Sequence, residues 1–342
     1  MSMPALRLHG VGDLRYEQVA EPGAPEAGMV RLKILAAGIC GSDLHNYRTG
    51  QWIDELPVTP GHEYCAEVEA VGDHVTDIAP GDRVVGDSRV VCGACDYCEN
   101  GEPNLCRNLG FVGEACDGAF AVYCLQPAER LYRVAADLSP MVAALAEPLA
   151  VALHVIERLE APAGEPILIV GGGTIGALVA LVADAEGLGP VYVAERQAGR
   201  RALLESVCNA VPVTLDRDAL VMQIGREPRF AVEATGSHGG LAGLMASVGA
   251  GTRLAMVGLF HGAGEVDVNA IVEQEIDLLG CSAFREELPR ACDLLPELAP
   301  RLARLIDAPI GLAAAPARYD ELIETGRDAI KSIVLPTETG HE

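Results

Sequence analysis

Apolar positions along this chain follow two rhythms. From Leu6 to about Val134 they form short runs, such as Val30–Ala36, Cys65–Val71 and Arg83–Val85, broken by Gly, Pro and Asp. Runs of that length bounded by turn residues predict strands. At Ser139 the rhythm changes. Met141–Leu159 reads as a helix, with Ser139 placed to cap it and Pro140 suited to its first position. Beyond Pro166, Ile167–Val170 predicts a strand, Ile175–Glu186 a helix and Val191–Ala194 a strand. Further short strands are expected at Phe230–Glu233, Arg253–Val257 and Leu278–Gly280, with helices between them. This alternation predicts βαβ units and a parallel sheet covered on both faces. From Leu288, helices rich in Arg and Leu lead to a last strand around Ile333–Leu335. No internal repeat or low-complexity segment interrupts the pattern.

At 342 residues, half of them apolar, the chain has the length of two domains and can bury a sizeable core. A net charge of −24 argues against nucleic acid or an anionic membrane as partner, since both need a positive footprint. No run of about 18 uninterrupted apolar residues occurs, and the first residues lack a signal-peptide pattern, so a cytoplasmic protein is expected. Of 25 basic residues only Lys33 and Lys331 are lysines, a bias that carries no functional reading. Eleven cysteines are present, eight of them between Cys40 and Cys124. A large cytoplasmic chain keeps its thiols reduced, which points to metal binding or catalysis rather than disulfides.

The cysteines Cys92-x2-Cys95-x2-Cys98-x7-Cys106 can close a tetrahedral shell around one Zn²⁺ with no open position, as in a structural site. A second set is dispersed: Cys40 within Gly38-Ile39-Cys40-Gly41-Ser42-Asp43-Leu44-His45, then Gly61-His62-Glu63, then Glu147-Pro148. Catalytic zinc takes about three protein ligands from separated segments and keeps a position open. Singly, each of these residues is more often a core or surface group than a ligand. Their joint occurrence before a nucleotide-binding unit reverses that. Asp43 could orient a ligand or serve as a helix N-terminal acid. The third signal is Gly171-Gly172-Gly173-Thr174-Ile175-Gly176, lying after an apolar strand and before a helix, which is the setting for a pyrophosphate-binding loop. Nineteen residues beyond Gly176, Glu195 ends the next strand, where an acid accepts hydrogen bonds from ribose hydroxyls.

Together these segments resemble the zinc-containing medium-chain dehydrogenases, in the branch of sorbitol, L-idonate 5- and threonine dehydrogenases. The similarity runs from Gly38–His45 to Asp328–Leu335, and Ala146-Glu147-Pro148-Leu149-Ala150 places a glutamate where liver-type alcohol dehydrogenases have a second cysteine ligand. The resemblance implies an α/β protein. A β-rich GroES-like catalytic domain, 1–148 and 286–342, would be wrapped around a doubly wound Rossmann domain, 149–285. It also implies two zinc ions per chain, NAD in preference to NADP, a small polyol, sugar acid or alcohol as substrate, and a homodimer or homotetramer.

By position, Cys40 and His62 would be zinc ligands, Glu63 a ligand or a group behind the metal, and Glu147 a group binding the zinc or its water. Ser42 and His45 fall where the family has a proton relay, and Arg200 where an arginine meets the adenosine end of the cofactor. Tyr47, Phe111 and Arg285 match positions lining the polyol site. Two departures stand out: Ala66 replaces a usual glycine, and Glu286 replaces an aromatic common in sorbitol dehydrogenases.

The chemistry of these groups is consistent with that resemblance. Zn²⁺ as a Lewis acid would lower the pKa of a substrate hydroxyl, Ser42 and then His45 would carry the proton out, and hydride would pass to the nicotinamide. His154 reads as a buried helix histidine rather than a participant. The rivals are a threonine 3-dehydrogenase, a general alcohol dehydrogenase, and a zinc-free quinone reductase or silent Rossmann protein. The last of these would need none of the metal-type residues.

Overall fold

The computed structural model describes residues 1–324 and 330–337. They form two compact units. One comprises Met1–Glu147 with the described parts of Leu288–Arg327 and Lys331–Glu342; the other comprises Pro148–Glu287 and includes Ile330.

The first unit is built on a seven-stranded sheet. Its main path runs Ile310–Gly311, Ile333–Leu335, Met29–Gly38, Glu63–Val71, Arg83–Gly86, Leu131–Arg133, and Tyr123–Pro127 pairs beside Met29–Gly38. Met29–Gly38 shows how the sequence produces this. Val30, Leu32, Ile34 and Ala36 alternate with Arg31 and Lys33 and are fully buried, as period-two side chains on a half-covered sheet must be. Val30, Leu32 and Ile34 join Leu6, Tyr64, Val68, Val84 and Phe120 in one core. Ala66 is buried in this sheet opposite Ile34 and Val84, beside a break in the pairing register between Ile34 and Ala36.

The second unit holds six parallel strands in the order Val211–Pro212, Val191–Ala194, Ile167–Val170, Phe230–Glu233, Arg253–Met256, Asp277–Gly280. That is the doubly wound order, in which the first strand sits centrally and ligands meet the carboxyl ends of the strands. Ile167–Val170 is buried at every position, as a strand covered on both faces should be.

The helix expected over Met141–Leu159 is interrupted. Pro140–Ala143, preceded by Ser139, is followed by a turn at 144–145, and the helix resumes as Ala146–Leu159. Pro148 explains the break, since it lacks an N–H and its ring collides with the carbonyl four residues earlier, at Ala144. The interruption leaves Glu147 in a first helical turn. Most of the combined segment is buried among the chain's own side chains, so its apolar character is that of a core helix.

Between Ile167–Val170 and the helix Thr174–Ala185, the chain turns so tightly that a Cβ on Gly176 would lie 1.9 Å from the Gly171 carbonyl oxygen. A Cβ on Gly173 would meet nothing within 4 Å. Gly176→Ala should therefore cost about 1–3 kcal/mol of stability, while Gly173→Ala should stay within about 0.5 kcal/mol of the parent. Paired denaturant titrations measure the difference.

Candidate functional site

Strand register brings distant residues to one end of the first sheet. Gly38 lies opposite Glu63 on one side and opposite Ile333 on the other. Cys40, His62–Glu63 and Lys331 therefore converge. Cys40 starts the helix Gly41–Thr49, and its backbone N–H donates to Asp43 Oδ2 at 2.8 Å. One donor atom each from Cys40, His62 and Glu63 lies within 4.8 Å of the others. His62 Nδ1 is buried without a hydrogen-bond partner, 3.8 Å from Asp43 Oδ1. Thiol, imidazole and carboxylate converging in a buried spot, with an orphaned ring nitrogen, are a donor set that fits Zn²⁺.

Lys331, which the sequence reading passed over, is 2% exposed. Its ammonium pairs with Glu63 and donates to the Ile39 carbonyl at 2.8 Å. A Cβ at Gly38 would sit 2.2 Å from Glu63 Oε2 and 2.6 Å from Lys331 Cε, so only glycine leaves room for the pair. Burial would push the Lys331 ammonium down, but the charges of Glu63 and Cys40 more than offset it and hold it above its ordinary value.

Glu147, 6% exposed, accepts a 2.7 Å hydrogen bond from Ser88 Oγ. Burial pushes its carboxyl up, and facing His62 only partly counters this, leaving it at about 7. Burial and Glu63 also push the Cys40 thiol up. His62 goes the other way. Burial pushes it down, but Asp43 and Cys40 more than offset that, and the ring lies well above the ordinary imidazole value.

The four-cysteine segment is compact. Cys95 and Cys98 sulfurs lie 3.5 Å apart, Cys106 and Cys92 3.5 Å, Cys95 and Cys106 4.0 Å. Four thiolates at about 2.3 Å from one ion would have sulfurs about 3.8 Å apart. Backbone N–H groups of Arg107 and Cys98 pull Cys95 down to about 6 and that of Cys92 pulls Cys106 down as well, while burial pushes Cys98 up to about 12.

Ser42 Oγ lies 3.4 Å from His62 Nε2. His45, one turn further on the same helix, is 3% exposed; its Nε2 contacts Gln51 Oε1 at 3.0 Å and its ring stacks on Trp52. Tyr47 donates to Asp320 Oδ1 at 3.0 Å and packs edge-on against Tyr319. Phe111 is half-buried in the two-residue strand opposite Arg89. In the second unit, Arg285 is half-buried and Glu286 exposed. Glu287 Oε2 accepts from the Arg285 and Glu286 N–H groups at 2.5 and 2.9 Å, while Oε1 meets His154 Nδ1 at 2.7 Å.

At the glycine loop, Glu195 accepts from Gly172 N and Gln197 N, both at 2.7 Å, so both carboxylate oxygens are fixed by backbone donors. Thr174 donates its hydroxyl to the Ile330 carbonyl at 2.8 Å. The arginine bracing this corner is Arg201, on the Glu195 and Arg196 carbonyls at 2.8 and 2.6 Å, beside the half-buried Arg200. Ile175 is half-buried in the first turn of the helix.

Residues 26–136 match the alcohol dehydrogenase GroES-like domain. The chain is 29% identical to the sorbitol dehydrogenase of Bacillus subtilis over 98% of both chains. It is 35% identical to the L-threonine 3-dehydrogenase of Pyrococcus furiosus over 72% of this chain and 73% of that one. Among solved structures it is similar to a zinc-binding dehydrogenase of Sinorhizobium meliloti bound to NADP, with a TM-score of 0.90 and 31% identity over 98% of this chain and 100% of that one. It is similar also to 2R,3R-butanediol dehydrogenase of Bacillus subtilis, with a TM-score of 0.89 and 30% identity over 98% and 100%.

Metal ligation at Cys40 and Glu147 must displace protons, because burial keeps the thiol protonated at neutral pH and the carboxyl at about 7. Zinc affinity of the Cys40 cluster should therefore rise with pH between 6 and 8, by up to roughly tenfold per unit for each proton displaced. Chelator competition at three pH values, with proton release followed in weak buffer, measures it; a flat profile would exclude ligation by these groups.

Proposed function

The chain belongs to the medium-chain dehydrogenase/reductase family and is an oxidoreductase of the alcohol/polyol dehydrogenase type; from that premise we propose that it oxidises a secondary alcohol of a polyol or sugar acid with NAD⁺. The observation carrying this reading is the convergence of Cys40, His62 and Glu63 within 4.8 Å. These three hold the catalytic zinc, with Glu147 beside them, and Cys92, Cys95, Cys98 and Cys106 hold a structural one. Zinc supplies Lewis acidity that lowers the pKa of an alcohol hydroxyl, and the nicotinamide supplies the hydride acceptor.

The protein's own part is to move a proton and orient the substrate. Ser42 Oγ accepts the hydroxyl proton as it gives up its own, and His45, one turn along the same helix, takes up the released proton and gives one up toward solvent. His45 Nε2 lies 3.0 Å from Oε1 of the exposed Gln51, so the ring nitrogen that would release a proton sits beside a solvent-exposed side chain. Arg285 offers a fork of donors to a distal hydroxyl or carboxylate. The exposure of Glu286 places its charge in water, which weakens its objection to an acidic substrate, so polyol and sugar acid stand close together.

Glu195 favours NAD⁺, since a fixed carboxylate accepts from ribose hydroxyls and repels a 2′-phosphate. A second reading, NADP⁺, is supported by the exposed Arg196 next to Arg200 and Arg201, and by the NADP-bound relative. The strand Asp277–Gly280 ends the parallel sheet with Leu278 exposed, close in sequence to the exposed Val268 and Val272. An uncovered edge of this kind supports a homodimer or homotetramer.

Two sets of measurements test these roles. Cys40→Ser should abolish turnover and leave the fold intact, whereas Cys95→Ser should lower thermal stability and zinc content, because structural metal binding contributes directly to folding. Unchanged stability and metal content in Cys95→Ser would remove the structural zinc. A panel of polyols, sugar acids, threonine, 2,3-butanediol and simple alcohols, each with NAD⁺ and NADP⁺, should give the highest kcat/KM for a polyol or sugar acid with NAD⁺. Simple alcohols should fall orders of magnitude lower, because they leave the site's polar groups unpaired. Threonine at the head of the panel would select the threonine dehydrogenase reading instead.

A further inference from the structure

The residues 111–116 bring to the first unit a carboxylate for which the chemistry above has no use. Glu114 is 7% exposed and has no ion-pair partner among the described residues. Burial pushes its carboxyl up to about 7, with His62 lowering and Asp43 raising it. A group so expensive to bury is held by one specific contact: Oε1 accepts from Asn46 Nδ2 at 2.7 Å, with both partners buried.

Asn46 is committed on every side. Its carbonyl accepts from Gly50 N at 2.8 Å, closing the helix Gly41–Thr49, and its Oδ1 accepts from Trp52 N at 3.2 Å. The Glu114 carbonyl also accepts from Asp54 N at 3.4 Å. The segment 50–54 is therefore tied to the 111–116 segment by a side-chain bridge and a backbone bond, and Glu114 belongs to both. What that segment carries is Trp52, whose indole stacks on the His45 imidazole at 4.2 Å between centroids and 24° between planes. Gln51, the partner of His45 Nε2, lies in it as well.

We propose that Glu114 is a positioning residue, which through Asn46 fixes the 50–54 turn and so holds His45 between Trp52 and Gln51 in the orientation that delivers a proton to solvent. The proposal rests on the part given to His45 in the function proposed above. The clamp itself rests only on contacts between Glu114, Asn46, Trp52 and His45.

Trp52 is the only tryptophan in the chain, so its emission reports on this turn without background from elsewhere. The test uses the zinc-loaded full-length enzyme with Glu114→Leu, which removes the acceptor, Glu114→Gln, which keeps one, and His45→Ala as reference. Acrylamide quenching of Trp52 should rise severalfold in Glu114→Leu and return to within twofold of the parent in Glu114→Gln. Turnover should follow the same order, with kcat down at least fivefold in Glu114→Leu, KM within twofold, and recovery in Glu114→Gln. A general loss of structure would instead raise KM and lower zinc content together. Asn46→Ala breaks the same bridge from the other side and carries the test if Glu114→Leu does not fold.

Unchanged Trp52 quenching in the folded variant overturns the clamp. Increased quenching with unchanged kcat overturns the positioning role if His45→Ala is itself slow. If His45→Ala turns over normally, the proton route proposed for His45 is what fails, and the quenching result still decides whether Glu114 holds the turn.

Discussion

A lysine ammonium and a glutamate carboxylate are buried together under Gly38, and the positions of Cys40 and His62 depend on that pair. Two charges removed from water are tolerated only when well matched, and removing one partner from such a pair costs about 3–5 kcal/mol. Here the match comes from strand register, with Glu63 opposite Gly38 on one side and Ile333 on the other. The Lys331 ammonium also reaches the Ile39 carbonyl. The residue before Cys40, the residue after His62 and a strand contributed from near the end of the chain are thus tied at one point. Any other side chain at position 38 would fill the slot with a Cβ. Cys40 and His62 are therefore held in place by strand register together with a charge pair formed by their neighbours.

The same sheet end explains how the two metal-type clusters differ. The four cysteines lie within fifteen residues, and a loop of short turns brings their sulfurs to 3.5–4.0 Å with little help from the rest of the fold. A donor set so local is legible from spacing alone. The Cys40, His62 and Glu63 set has no such autonomy, since its members meet only because two strands pair in one register. In the sequence those residues carried weight through their joint occurrence beside a nucleotide loop. Strand and helix positions in the second unit were also readable, because buried parallel strands such as Ile167–Val170 are unbroken apolar runs and the glycine loop marks the first turn.

What could not be read is what long-range contact alone decides. Lys331 reaches Ile39 across 292 positions, and the only trace it leaves in sequence is that it is one of two lysines among 25 basic residues. Ser88 beneath Glu147 and Glu114 beside Asn46 carry no motif; a serine after an aspartate and a glutamate after a glycine read as turn residues. The interrupted helix had a local cause in Pro148, but apolar periodicity ran through it and masked the break. Arg200 and Arg201 are neighbours on one helix, and only the fold places Arg201 on the carbonyls of Glu195 and Arg196.

Cofactor choice turns on the same distinction between a residue's type and its commitments. An acid at the end of the second strand favours a free ribose, but only if its oxygens are presented to the ligand. Glu195 already accepts from Gly172 and Gln197, so its orientation is fixed by the loop that would cradle the pyrophosphate. A carboxylate anchored in this way cannot swing aside to admit a 2′-phosphate without releasing two backbone N–H groups, each of which would need a new partner. Arginines nearby add attraction for phosphate without removing that cost. The preference for NAD⁺ proposed above would therefore rest less on the presence of an acid than on its being held by the loop.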